Sequence, residues 1–133
     1  MIAIGRDQAP APVDQPKVTR GSWIRGGEVV VERSFADALG IHAGDSVTLN
    51  GRRFRVAGIA VTAAIPPYPA GFCWGTSNDR NPGLVWLTRA DARSLATHAQ
   101  PVGYLLNLKL ARPASTGAFE AHTTIPSPAR HHM

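Results

Sequence analysis

Nucleophilic catalysis needs a serine, threonine or cysteine beside a base that a third group orients. Cys73 is the only cysteine of the chain, and it stands between Phe72 and Trp74, where an apolar setting blunts a thiol. No Gly-x-Ser-x-Gly elbow occurs to expose a serine nucleophile. A metal site needs converging histidines or carboxylates, whereas His42 and His98 are isolated and His122, His131 and His132 lie near the end of the chain. Asp37 and Asp91 each follow a hydroxyl residue (Ser34 and Thr88) by three positions, the spacing of a helix cap, which accounts for both without acid–base chemistry. Gly26-Gly27 precedes a β-branched run, the reverse of the strand–loop–helix order that aims helix amides at a phosphate. These residues lead us to expect no catalytic residue, no cofactor and no metal.

A second kind of chemistry is recognition. The formal charge of +5 and the pI near 10.4 bring nucleic acid and anionic lipid into view as partners. The distribution argues against them. Twelve arginines are scattered from Arg6 to Arg130, and only Arg52, Arg53 and Arg55 are close together. On a strand that triplet divides, with Arg53 and Arg55 on one face and Arg52 on the other. The expectation is therefore no nucleic acid, with a free-standing β-barrel-type module binding nucleic acid or protein as the alternative. A more specific surface is offered by Tyr68, Phe72 and Trp74, three aromatics within Pro66-Pro67-Tyr68-Pro69-Ala70-Gly71-Phe72-Cys73-Trp74-Gly75. Rigid rings supply contact area at small entropic cost, so these residues form either a contact loop for a partner or substrate or a lid folded onto the sheet.

The elements that would position these groups are short. Residues 8–16 carry three prolines and no periodicity, so residues 1–16 read as an extended linker or disordered segment. Residues 17–24 read as an edge strand or a strand plus turn, and Glu28-Val29-Val30-Val31 as a second strand. A short helix follows, capped by Ser34 with Asp37 and ended by Gly40, since glycine enters the left-handed conformation at little cost. Gly44-Asp45 makes a turn into Ser46-Val47-Thr48-Leu49. Asn50-Gly51 then predicts a two-residue hairpin turn, because both central positions of a type I′ turn need positive φ. The partner strand runs from residue 52 to about 62, with Phe54, Val56, Ile59 and Val61 inward after a bulge or bend at Gly58.

From residue 65 to 83 the chain reads as a long loop, a length usually reserved for functional or mobile segments. Leu84-Val85-Trp86-Leu87 is a buried-type strand, Thr88 with Asp91 caps a helix to about residue 98, and residues 102–110 alternate as a further strand. At most a frayed helix follows Gly117, and residues 113–133 read as a frayed or disordered tail. The order predicts one α+β domain over residues 17–112, a mixed or antiparallel sheet with a tight hairpin and two short helices. The longest uncharged apolar stretch, residues 56–65, is far shorter than the roughly 20 residues that span a bilayer.

Residues 27–61 resemble the extracytoplasmic domain of FtsX/MacB-type ABC-transporter permeases. The resemblance rests on Glu28 to Glu32, then Ala38-Leu39-Gly40, then Gly44 to Leu49, and then Phe54 to Ile59, in that order. The strand after Gly83, the helix at Thr88 and the strand from Tyr104 to Leu110 are similar to the continuation of that family, so coverage is about residues 20–112. The resemblance implies a MacB-like fold in which Gly40, Gly44, Asp45, Asn50 and Gly51 are structural. It implies a non-catalytic domain set between transmembrane helices, on the extracytoplasmic side of a cell membrane. Its partners would be those helices and a cytoplasmic ATPase, with an extracytoplasmic protein or lipophilic substrate as the possible cargo. The family's pattern carries no catalytic residue over, and the Pro-rich aromatic loop departs from it.

Overall fold

The computed structural model describes residues 1–70, 81–103, 111, 112, 114 and 117. Its elements are β1 (Ile2–Arg6), β2 (Lys17–Gly21), β3 (Glu28–Glu32), α1 (Arg33–Leu39), β4 (Ser46–Leu49), β5 (Arg52–Val61), β6 (Leu84–Thr88) and α2 (Arg89–Ser94). The described residues fold as a small α+β domain with a mixed six-stranded sheet and two helices. The strands run in the order β1-β6-β3-β5-β2, and β4 pairs with another part of β5. Pairing is parallel for β1 with β6 and for β3 with β5. It is antiparallel where β3 meets β6 and where β5 meets β2 and β4.

The continuous apolar text of β3 reflects burial on both faces of the sheet. Val29 and Val31 join Phe54, Val56, Ile59, Val85 and Leu87 on the face that receives Ala36 of α1 and Leu95 beyond α2. Val30 joins Ala57, Ala60, Leu84 and Trp86 on the other face, which Ile24 and Ile65 cover. Trp23 adds its ring there, 6.3 Å from that of Trp86.

The expected irregularity in β5 is present. Along β3, Val29 faces Val56 but Val30 faces Gly58, so Ala57 is the extra residue of a bulge. The insertion keeps Val56 and Ile59 on one face despite their odd spacing. Glycine is required at 58 because a Cβ there would stand 2.5 Å from Ser22 O and 2.6 Å from Arg20 O, backbone atoms of the neighbouring strand and its exit. Residues 50 and 51 form the expected turn, with φ of 46° and 76°, and Leu49 faces Arg52 across it.

Three expectations need correction. Residues 2–6 are not linker: Ile2 and Ile4 pack against the Trp86 cluster as β1 adds itself in parallel to β6. Its partner is distant in sequence, so no turn announces it, and five residues give too little periodicity to read. Residues 7–16 contain no helix or strand, yet they are fastened, with Arg6 and Asp14 forming an ion pair at 3.4 Å and Thr62 donating to Asp14 at 3.2 Å. The cap of α1 is Glu32, not Ser34 with Asp37: one carboxylate oxygen accepts from Ser34 N and the other from Phe35 N, each at 3.0 Å. The longer side chain reaches two orphan amides at once, and the helix begins at Arg33, two residues earlier than a Ser34 cap would set it. Finally, α2 stops at Ser94, where the chain tightens into i→i−3 bonds from Leu95 N to Ala92 O and from Ala96 N to Arg93 O. The strand read at 102–110 has all of residues 104–110 outside the described residues, as does nearly all of the segment after 112.

Candidate contact site

The connection between β5 and β6 carries Tyr68, and its described ends, residues 62–70 and 81–83, contain neither helix nor strand. Since β5 runs parallel to β3 and β6 antiparallel to it, the connection begins and ends on either side of the C-terminal end of β3, where Glu32 caps α1. Both of its ends are anchored. Ile65 is buried as the chain leaves β5, and Asn81 is buried as it returns. The Asn81 carboxamide donates to Pro66 O at 3.0 Å and accepts from Gly83 N at 2.9 Å. A single buried side chain thereby joins the two roots of the loop, and neither of its polar ends is left unpaired.

Tyr68 is half-buried, its ring 5.2 Å from that of Phe35 with an interplanar angle of 52°. That tilted geometry is a favourable one for aromatic pairs. Phe35 is held from below by Gly83, whose φ is +94° and whose missing Cβ would lie 2.4 Å from the Phe35 ring. Gly83, Phe35 and Tyr68 therefore form a stack from the start of β6 through α1 to the loop. Phe72, Trp74 and the thiol of Cys73 lie outside the described residues. The choice between contact loop and lid is thus carried by Tyr68, which is docked on α1 rather than extended from it.

The remaining residues singled out in the sequence lie elsewhere, and each has a backbone role. Gly40 closes α1 in the left-handed region, with its N–H directed to Ala36 O and Asp37 O. Gly44 N donates to Val56 O at 2.8 Å and Val56 N to Asp45 O at 2.7 Å, so this turn is sewn onto β5. The Asp45 carboxylate accepts from His42 N at 2.8 Å. Asn50 and Gly51 make the hairpin turn described above, and the Asn50 side chain donates to Leu95 O at 2.8 Å. These five residues outline α1 and the β4–β5 hairpin and do not meet Tyr68 in one site.

The arginine triplet divides as its strand parity requires. Arg52 lies 5.2 Å from the Phe54 ring centre and pairs with Asp91 at 3.5 Å, while Arg55 pairs with Glu28 at 3.2 Å. Asp91 does more than cap α2 against Thr88. It also accepts from Gly27 N at 2.8 Å, linking α2, the start of β3 and the hairpin. Sequence reasoning assigned Asp91 the cap alone, and it missed Glu32, Asn81 and Gly83 altogether. Asn81-Pro82-Gly83 does carry turn chemistry, but nothing local shows that its asparagine faces inward.

Among the described residues no group of three histidine, cysteine, aspartate or glutamate side chains could hold a metal ion. Among them too, no helix is long and apolar enough to cross a membrane. No family model matches the chain, and neither a curated protein nor a solved structure matches it.

Proposed function

We propose that the chain is the non-catalytic extracytoplasmic domain of an ABC-transporter permease subunit, which passes ATP-driven movement of its membrane helices to a substrate or partner outside the cytoplasm. The observation that carries this reading is the division of labour within the domain. Within the stretch behind the family resemblance, the polar and glycine positions singled out serve backbone geometry: Gly40 closes α1, Gly44 and Asp45 bond to β5, and the Asn50-Gly51 turn joins β4 to β5. Beside this frame lies the β5–β6 connection, whose described ends are joined by Asn81 and whose Tyr68 ring rests against Phe35 of α1. A module that moves as a rigid body needs a stiff frame and a displayed contact loop, and it needs no converging reactive groups. The MacB-like assignment of the fold belongs to the same proposal, as do the partners it entails: transmembrane helices, a cytoplasmic ATPase, and an extracytoplasmic protein or lipophilic substrate met by the Tyr68 loop.

The test is topological and uses the complete natural gene product in its own cells. Thr48, exposed on β4, is replaced by cysteine in a Cys73→Ser background. A membrane-impermeant maleimide should label Thr48→Cys in intact cells to the same extent as in permeabilised ones. Labelling that requires permeabilisation would place the domain on the wrong side of the membrane and end the proposal.

A further inference from the structure

The Asn50-Gly51 turn raises a question of chemical stability as well as of shape. An asparagine followed by glycine is open to self-modification, because no side chain at the next position shields the backbone nitrogen from the carboxamide. Among the four asparagines, Asn50 is the one followed by glycine; Asn78, Asn81 and Asn107 precede Asp79, Pro82 and Leu108. Both turn residues are exposed to water. The folded turn nevertheless restrains the reaction. Its φ values of 46° and 76° hold the two residues in a tight left-handed arrangement, and the carboxamide nitrogen is tied to Leu95 O at 2.8 Å. One residue on, Arg52 holds the same corner to α2 through Asp91 at 3.5 Å. The hairpin tip is therefore clasped to α2 by two side chains, one of which is the reactive amide itself.

We infer that Asn50 is a latent deamidation site whose rate is set by opening of this clasp. When the tip is free, the Gly51 backbone nitrogen loses its proton to water and attacks Asn50 Cγ. A C–N bond forms, the side-chain amide nitrogen leaves as ammonia, and a five-membered cyclic imide remains. Water then adds to either imide carbonyl and opens the ring to aspartate or isoaspartate. One water is consumed and one ammonia released, with no oxidant or reductant. The product cannot re-form the clasp. A carboxylate in place of the amide has no proton to give Leu95 O, and isoaspartate inserts an extra backbone carbon into a two-residue turn. The modification is thus one-way, and it acts on the corner that joins the hairpin to α2.

The experiment follows one peptide. Trypsin releases residues 34–52, which contain no amide side chain other than Asn50, so the mass gain of amide-to-acid conversion reports this site alone. The full chain is incubated at mildly alkaline pH, folded and in denaturing urea, beside an Arg52→Gln variant, read on the peptide ending at Arg53, whose fragment ions separate conversion at Asn50 from that of the introduced amide. Urea should accelerate conversion on the order of tenfold or more, since reaction through an open state scales with the population of that state. Arg52→Gln should convert faster than the parent while its near-ultraviolet circular dichroism stays native. Equal rates in folded and unfolded parent, or no conversion in urea, would overturn the site. A natively folded Arg52→Gln chain that converts no faster than the parent would overturn the role of the clasp. Should that variant fail to fold, hydrogen exchange of the Asn50 side-chain amide, which donates to Leu95 O, decides the same point in the parent: exchange as fast as in an unstructured peptide would mean that no closed state guards Asn50.

Discussion

The two connections that leave β5, one at each end, solve the same problem in opposite ways. At the start of β5 the chain reverses within Asn50 and Gly51, and the geometry is local, two positive φ angles in open space. At its end the chain must pass β3 before it can enter β6, and the geometry is set by tertiary contacts. Asn81 ties the loop roots, and Gly83 stands against the ring of Phe35. Turn chemistry suffices for the first connection, whereas the second exists only after the sheet and α1 are assembled.

Substitution of the two glycines by the same residue should separate these cases. Gly83→Val combines a strained backbone with a collision against Phe35, and it should lower stability by about 3 kcal/mol or more, measured by thermal unfolding followed through tryptophan fluorescence. A midpoint equal to that of the parent would show that the Phe35 stack yields freely. Asn81→Leu leaves Pro66 O and Gly83 N without their partner, and a loss of about 1–3 kcal/mol is expected in urea titrations. If the loss is negligible, the loop roots are held by something other than the carboxamide. Gly51→Val meets no atom within 4 Å, so only the positive φ is penalised, at the lower end of about 1–3 kcal/mol. A Gly51→Val loss that matched or exceeded that of Gly83→Val would erase the distinction between the two ends of β5.

The same contrast explains which residues were legible. Asn50-Gly51, the Gly40 stop and the Thr88–Asp91 cap each depend on neighbours within a few positions, and the structure contains all of them; the Gly58 irregularity is also present, but what requires it is the distant backbone of Arg20 and Ser22. Glu32 was read as part of a strand because its capping role depends on where β3 ends, which the sheet decides. Strand β1 was read as linker because its five residues gain their meaning from β6, on which they lie in parallel register. Of the candidate contact residues, Tyr68 was found by its type and setting, but its docking on Phe35 was not foreseeable, since α1 comes to the loop through the fold and not through sequence proximity.

By itself the sequence determined the punctuation of this protein: the hairpin turn, the helix stop and the cap at Thr88. These follow from steric and hydrogen-bonding rules that act over a few residues. Tertiary structure alone decided the strand order, the recruitment of residues 2–6, the burial of Glu32 and Asn81, and the joining of Asp91 to three elements. Those features bring together residues far apart along the chain. Their energy comes from burial and from pairing polar groups inside, quantities that have no value until the partners meet.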